Sequence, residues 1–275
     1  MAMQAPVVVG VDGSEHSVAA ATWAAGEAAL RRAPLRLVLV TDLPPYGGEP
    51  EKVLHSAVLR STGHHPELAP ESAVRRGDPA RELMDESEGA QLVVVGSRGR
   101  SPVRARLLGS VSAKVATHAH CPTVVVPHQQ LPDGGPVVVG LDNSPYSRAA
   151  LRFAFDEAAV RGSELVAVQV WEENEYAPIV PLLDFEVGER NDETRRALAE
   201  QLAGCSQDYP TVAVREVARR GHPVVALRTL GEDAQLVVVG HRGRGGFAGM
   251  LLGSVAAGVL DHAPCPVAVV RGEKK

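Results

Sequence analysis

The chain has 275 residues, of which 45% are hydrophobic, and carries a formal net charge of −5 with a pI near 6.1. This length allows one large domain or two ordinary domains, each with a buried core. The mild negative charge argues against nucleic-acid binding, which needs an excess of basic residues, and no apolar run approaches the length of a membrane span. We therefore expect no nucleic-acid partner and no membrane insertion.

The cysteines and the start of the chain indicate a cytoplasmic protein. Cys121, Cys205 and Cys265 are an odd number of thiols at wide spacing, which is typical of reduced cysteines rather than of a disulfide framework. Residues 1–6 include neither a basic segment nor a long apolar one, so a secretion signal is not expected.

Five short runs rich in β-branched residues predict strands in the first half of the chain. They cover residues 7–11, 35–41, 72–74, 92–95 and 123–126. Most are apolar on both faces, as parallel strands are when helices cover both sides of a sheet. Segments of helical period separate them, among them 16–32, stopped by Pro34, and a helix that begins at Asp78-Pro79 and runs toward Glu88. The alternation predicts an α/β fold with a doubly wound, open parallel sheet, in which ligands bind at the carboxyl ends of strands.

A glycine-spaced loop follows the fourth strand. Gly96 and Gly99 are separated by two residues, and nine more lead to Gly109-Ser110, just before a helical segment over 111–118. We expect these glycines to take positive φ and let backbone N–H groups approach a ligand, while Ser110 caps the helix and donates its hydroxyl to a phosphate oxygen. The exposed N–H groups and the dipole at the helix start favour a polyphosphate.

The second half of the chain repeats the first. Residues 7–14 return as 137–144, and residues 91–100 return as 235–244, so the second copy gains residues between its second and third strands. We place them in a surface elaboration over about 173–209. The loop glycines return as Gly240, Gly243 and Gly253, followed by Ser254. We predict two domains, 1–131 and 132–275, joined near 128–135.

The recurrence at matching spacing favours phosphate binding over a merely tight strand-to-helix connection, although surface arginines beside the loop, Arg98, Arg100, Arg242 and Arg244, are weaker support. Neither the Walker-type phosphate loop nor the dinucleotide G-x-G-x-x-G is present. Asp12 and Asp142 follow the first strand of each copy. Each could accept hydrogen bonds from a ribose or position a metal ion on the phosphates. The alternative is that each caps the next helix. We expect no metal site formed by the protein alone, because the residues around His118, His120 and Cys121 do not supply four ligands.

These residues together resemble the universal stress protein family, in its tandem-domain, ATP-binding branch familiar from actinobacteria. The family's G-x2-G-x9-G-[ST] motif corresponds to Gly96, Gly99, Gly109 and Ser110 and to their repeats, and the resemblance spans essentially the whole chain. It implies a Rossmann-like, adenine nucleotide alpha hydrolase-like domain in each copy, with five parallel strands in the order 3-2-1-4-5.

The resemblance also implies roles for single residues and for the protein. Adenine would be contacted at Val40 and Val170, and the backbone of Val111 and of Val255 would lie along the phosphates. It implies ATP, with Mg²⁺, as the ligand and a homodimer as the assembly. Residues 101–105 differ from the glycine-rich 245–249, so we expect unequal affinities.

Two functions stay open. The first is a nucleotide-dependent regulatory protein of the stress response, whose ATP-bound state is recognised by regulatory partners that the sequence does not identify. The alternative is a slow ATP hydrolase or phosphotransfer enzyme, for which the sequence shows no general base paired with a nucleophile.

Overall fold

The structure is a computed structural model that describes residues 4–42, 49–99, 108–129, 132, 134–171, 184–244 and 251–272. Strands and helices alternate throughout. The first copy consists of β1 (Val7–Val11), α1 (Glu15–Arg31), β2 (Leu35–Val40), α2 (Glu49–Ser61), β3 (Glu71–Arg75), α3 (Pro79–Glu86), β4 (Leu92–Gly96), α4 (Ser110–His118) and β5 (Thr123–Val126). The second consists of β6 (Val137–Leu141), α5 (Pro145–Arg161), β7 (Leu165–Trp171), α6 (Asp184–Ser206), β8 (Val214–Arg220), α7 (Pro223–Leu230), β9 (Leu236–Gly240), α8 (Ser254–His262) and β10 (Val267–Val270).

The sheet of the first copy has the order β3-β2-β1-β4-β5, and all its pairings are parallel. Val9 of β1 lies opposite Leu37 of β2 on one side and Val94 of β4 on the other. The chain therefore reverses its winding direction at β1, which opens a crevice at the carboxyl ends of β1 and β4. The second copy has the matching order β8-β7-β6-β9-β10. The predicted α/β fold with its 3-2-1-4-5 order is confirmed in both copies.

The interior strands are buried on both faces, because helices cover both sides of the sheet. Every residue of β4 and β5 is buried, and α1 packs against β1, β4 and β5. α1 also packs against α2, while α3 packs against α4. Continuous Val-rich strands of this kind bury apolar area that contributes about 1.5–3 kcal/mol for each large side chain.

The first helix of each copy ends through a left-handed residue. Arg32 (φ 52) follows α1 and Gly162 (φ 60) follows α5, and the N–H of each bonds carbonyls of the last helical turn. This position favours glycine, which only the second copy uses. The helix predicted over 16–32 therefore begins and ends one residue earlier than expected, at Glu15 and Arg31. The helix from Asp78 behaves as predicted, since Asp78 caps it and Pro79 begins it, but it ends at Glu86.

The segment predicted as a surface elaboration is largely the helix α6, which has 23 residues and packs against β7 and β8. Its counterpart α2 has 13 residues. Residues 172–183 lie outside the described part of the chain. Most of the extra residues of the second copy therefore lengthen a helix that covers its sheet.

The backbone divides into two compact units, residues 1–130 with 266–269 and residues 131–265 with 270–275. None of the described helices is both long enough and apolar enough to cross a membrane. All three cysteines are free, and burial raises the pKa of Cys121 and of Cys265 to about 12, so both remain neutral thiols at physiological pH.

Candidate functional site

A cavity opens at the carboxyl ends of the strands in each copy, where the winding direction reverses. The cavity of the first copy has a volume of about 520 Å³ and that of the second about 230 Å³. Each lies between the ends of the first, second and fourth strands and the first turns of the third and fourth helices. The two cavities are built from equivalent elements of the repeated sequence.

Every aspartate, valine, glycine and serine named as a candidate binding residue lies on the wall of one of these cavities. The first is lined by Asp12, Val40, Gly96, Gly99, Gly109, Ser110 and Val111. The second is lined by Asp142, Val170, Gly240, Gly243, Gly253, Ser254 and Val255. The structure thus brings together residues that are up to about one hundred positions apart within each copy.

Several wall residues were not anticipated. They are the apolar side chains and the serine at the base of the cavity, which recur as the pairs Ser17 and Ser147, Val38 and Val168, Pro79 and Pro223, and Leu83 and Leu227. The signal that could have found them is the repeat itself, because each pair keeps the offset of its neighbouring motif. The valine, proline and leucine of each set make one end of each cavity apolar.

The two aspartates hold the backbone around the cavity. Asp12 Oδ1 accepts hydrogen bonds from the Ser14 N–H (3.0 Å) and the Ser14 hydroxyl (2.6 Å). Asp142 Oδ1 accepts from the Ser144 N–H (3.0 Å), and its Oδ2 accepts from the Arg244 N–H (2.8 Å). Asp142 therefore ties the first-strand turn to the glycine loop.

The alternative in which each aspartate caps the following helix is wrong, because serines occupy the cap positions. Ser14 Oγ accepts from the Ser17 N–H at 3.2 Å, and Ser144 Oγ accepts from the Ser147 N–H at 3.1 Å. Each aspartate precedes the cap by two residues and orients it from outside the helix.

The loop glycines are required for close approach rather than for a left-handed backbone. A Cβ on Gly99 would lie 2.7 Å from Asp12 Oδ2, and one on Gly243 would lie 2.5 Å from Asp142 Oδ2. A Cβ on Gly96 would lie 2.7 Å from the His16 carbonyl oxygen. None of the six motif glycines has a φ in the left-handed region, so the expectation of positive φ is wrong.

The helices α4 and α8 begin at the cavity without a side-chain cap. Gly109 and Gly253 occupy the N-cap positions, so Ser110 and Ser254 are the first helical residues and do not cap, contrary to the prediction. The first-turn residues Ser110, Val111 and Ser112 all line the cavity. Unbonded N–H groups and the positive end of the helix dipole make such a terminus a favourable place for an anion.

Arginine side chains add positive charge to both walls. Arg98 lines the first cavity, and Arg242 and Arg244 line the second. The Nε of Arg242 is buried and has no hydrogen-bond partner among the described residues. A buried guanidinium donor without an acceptor is costly, and a bound anion would relieve that cost. Arg100 and the contrasting loop interiors 101–105 and 245–249 lie outside the described residues.

Behind the loop, the two copies carry different aromatic groups. In the first copy the His16 and His128 rings are 4.9 Å apart, and Ser97 Oγ lies 3.3 Å from His16 Nδ1. In the second copy Tyr146 meets His241 edge-on at 4.5 Å. Burial, followed by the charges of Arg271 and Arg242, lowers the pKa of His241 to about 4.

Trp171 lies away from the second cavity, on the side of the sheet that α6 covers. Its Nε1 donates to Asn191 Oδ1 at 2.8 Å, and the guanidiniums of Arg190 and Arg220 lie 5.6 and 5.9 Å from its ring. Val170, one residue earlier, points into the cavity, as the alternation of a strand requires. Among the described residues, no group of three or more His, Cys, Asp or Glu side chains could hold a metal ion.

Each cavity therefore joins an apolar end to an end rich in backbone N–H groups and arginine. A planar heterocycle suits the first end, and phosphates suit the second, because backbone N–H groups and guanidiniums stabilise negative charge.

Comparison with known proteins agrees with this architecture. The model of the universal stress protein family matches residues 3–127 and again 135–271. The chain is 40% identical over 287 residues to "Universal stress protein Rv2005c" of Mycobacterium tuberculosis, with 96% of each chain covered. It is 41% identical over 288 residues to a universal stress protein of Mycolicibacterium smegmatis, again with 96% of each covered.

Among solved structures, that of a universal stress protein from Archaeoglobus fulgidus has the same fold, with a TM-score of 0.68, 22% identity and 98% of each chain covered. Two matches of one family model, in a chain whose two halves fold alike, show a tandem protein. The chain belongs to the universal stress protein family.

Proposed function

We propose that this protein is a nucleotide-dependent regulatory protein that binds one adenine nucleotide, ATP, in each copy. The single observation that carries the proposal is the cavity at the winding reversal of each copy, apolar at one end and lined with glycine backbone and an uncapped helix start at the other. In this proposal the domains are residues 1–131 and 132–275, and the protein acts in the cytoplasm as a homodimer.

Different wall residues contact the base, the ribose and the phosphates of the nucleotide in this proposal. The adenine packs on Val40 and Leu83 in the first copy, where the side chains are apolar. The ribose lies toward Asp12, at the carboxyl end of β1. The phosphates lie on the backbone of Gly99 and at the start of α4, where N–H groups and the helix dipole stabilise negative charge.

The second copy would bind in the same way through its equivalent residues, with Val170 and Leu227 against the base. Arg242 supplies a buried donor whose Nε lacks a partner among the described residues. Mg²⁺ would enter with the nucleotide, since this ion is commonly held mainly by phosphates and water with one or two protein ligands.

The hydrogen bonding of Asp142 favours a regulatory role over hydrolysis. Both carboxylate oxygens of Asp142 accept backbone hydrogen bonds, which fixes the loop and leaves the carboxylate poorly placed to take a proton from water. ATP binding would then stabilise one conformation that partner proteins recognise.

Ligand identity tests the proposal first. We expect mass spectrometry of freshly purified, denatured protein to detect an adenine nucleotide, and calorimetry of emptied protein to show two sites for ATP. The matched control is the double variant Gly99→Val/Gly243→Val, which should release none. Absence of both released nucleotide and ATP binding at millimolar concentration would contradict the proposal.

Single-turnover phosphate release separates the regulatory protein from the hydrolase. We expect bound ATP to dissociate or exchange faster than it is hydrolysed. Hydrolysis that outpaces nucleotide exchange would favour the enzyme, and sedimentation of the purified chain would test the homodimer.

A further inference from the structure

Two imidazoles of the first copy lie directly behind the loop that would hold the phosphates. His16 lies in the first turn of α1, and His128 follows β5, with 4.9 Å between the ring centroids. Ser97, the loop residue after Gly96, has its hydroxyl 3.3 Å from His16 Nδ1 and its carbonyl bonded to the Gly109 N–H at 2.9 Å. His16, which packs against His128, therefore contacts the segment that joins Gly96 to α4.

Three charged or titratable groups act on His16, and they follow β1, lie in the loop and follow β5. Burial lowers the pKa of His16 most, the charges of His128 and Arg98 lower it further, and Asp12 opposes them. On α1 itself, Glu15 is paired with Arg60 of α2, whose NH2 group lies 2.7 Å from it. Among the described residues, the cations facing His16 come from the loop and from the end of β5, where an incoming polyphosphate would offset them.

We propose that His16, which packs against His128, couples nucleotide binding in the first copy to the uptake of a proton, and that the second copy binds its nucleotide without such uptake. The proposal rests on the proposed function. Phosphates bound beside Arg98 bring negative charge close to His16 and favour its protonated form. By linkage, protonation strengthens phosphate binding by the same factor, so the affinity of the first site rises as the pH falls.

The second copy lacks this pair at the equivalent positions. Tyr146 replaces His16, His241 replaces Ser97, and Gly272 replaces His128. His241 is only 5% exposed, and it lies against Tyr146 rather than against a second imidazole. His241 remains neutral at neutral pH, because burial lowers its pKa to about 4.

Calorimetry in buffers of different ionisation enthalpy measures the protons taken up for each ATP bound. At pH 6.5 we expect the unchanged chain to take up more protons for each ATP bound than the variant His16→Gln/His128→Gln, because bound phosphates favour the charged imidazole of His16. ATP's own ionisation contributes to both proteins alike and cancels in the comparison. The matched control is His118→Gln, an exposed histidine at the end of α4, which should behave as the unchanged chain does.

Equal proton uptake in the unchanged chain and the double variant, with ATP still bound at the first site, would overturn the coupling and leave the proposed function standing. Failure of the unchanged chain to bind ATP would overturn both. If the double variant does not fold, an NMR titration of the His16 imidazole in the unchanged chain with and without ATP decides the matter. A rise in its pKa with ATP supports the coupling, and no change contradicts it.

Discussion

The first copy closes the loop behind its cavity with a side-chain hydrogen bond that the second copy lacks. Ser112 Oγ donates to the Gly96 carbonyl at 2.6 Å, whereas Ala256 occupies the same place in the second copy. The cavities also differ, at about 520 Å³ and about 230 Å³. Both copies keep the glycine spacing and the aspartate, so these features form the cavity. The residue that differs, Ser112 or Ala256, changes only how the loop is held.

The largest expected effect comes from placing a side chain at the loop glycine that lies against the aspartate in each copy. Gly243→Val places a Cβ 2.5 Å from Asp142 Oδ2, too close for van der Waals contact, and so disturbs the bond from the Arg244 N–H. We expect a loss of about 100-fold or more in ATP affinity at the second site, because charge-assisted hydrogen bonds contribute about 1.5–3 kcal/mol each. Calorimetry measures it.

The matched variant is Gly99→Val, which should abolish binding at the first site and leave the second unchanged. If either variant binds two nucleotides with unaltered affinity, the phosphates do not lie beside these glycines.

The second effect concerns stability rather than binding. His241 has a lowered pKa of about 4 in the folded protein, so the unfolded chain takes up its proton first as the pH falls. We expect the free energy of unfolding to decrease by about 2.5 kcal/mol between pH 6.5 and pH 4 from this residue. Urea unfolding across this range measures it.

Replacing His241 with the serine of the first copy, His241→Ser, should remove that part of the pH dependence while the rest remains. An identical slope in variant and unchanged chain would show that His241 titrates normally.

Removing the aspartate in each copy sharpens the comparison further. Asp142→Ala deletes acceptors for the Ser144 and Arg244 N–H groups, and Asp12→Ala deletes the acceptor for Ser14. We expect each to weaken ATP at its own site by about tenfold and to leave the domain folded, since one or two hydrogen bonds contribute about 1 kcal/mol each. Calorimetry and circular dichroism measure the two effects, and unfolding of either variant would show that the aspartate is mainly structural.

The smallest expected effect is an exchange between the copies. Ser112→Ala removes the bond to the Gly96 carbonyl, and Ala256→Ser offers the equivalent bond to the second copy. We expect the first change to weaken its site by about fivefold and the second to strengthen its own, because one hydrogen bond that pre-positions the loop contributes about 1 kcal/mol. If Ser112→Ala and Ala256→Ser change the ATP affinity of their own sites in the same direction, this hydrogen bond does not set the difference between the copies.

The sequence was most informative where the backbone pattern is local and strong. The bounds of β1 and β5 agree with the prediction residue for residue, because each is a short Val-rich run next to a turn. The candidate site residues all reached the cavity walls, since the carboxyl ends of parallel strands necessarily meet at one edge of a sheet. Whether they bind a nucleotide stays a prediction.

Helices with a weak apolar period were missed. α2 begins with Glu49 and alternates charged and apolar residues, and α6 lies in a stretch that its acidic residues made look like a loop. The close contact of His16 with His128 was also out of reach, because it joins a helix start to the end of a strand more than one hundred residues later. Such pairings depend on the tertiary fold rather than on local spacing.

The glycine caps of α4 and α8 have a consequence for the whole chain. With no side chain at Gly109 or Gly253 to complete the first helical turn, a phosphate bound there would supply the missing end group of each helix. The same N–H groups would then serve both the helix and the ligand. The free energy of unfolding should therefore increase by about 2.7 kcal/mol for each site when the nucleotide concentration is one hundred times the dissociation constant. The free energy of unfolding of this protein would thus rise and fall with the ATP concentration of the cell.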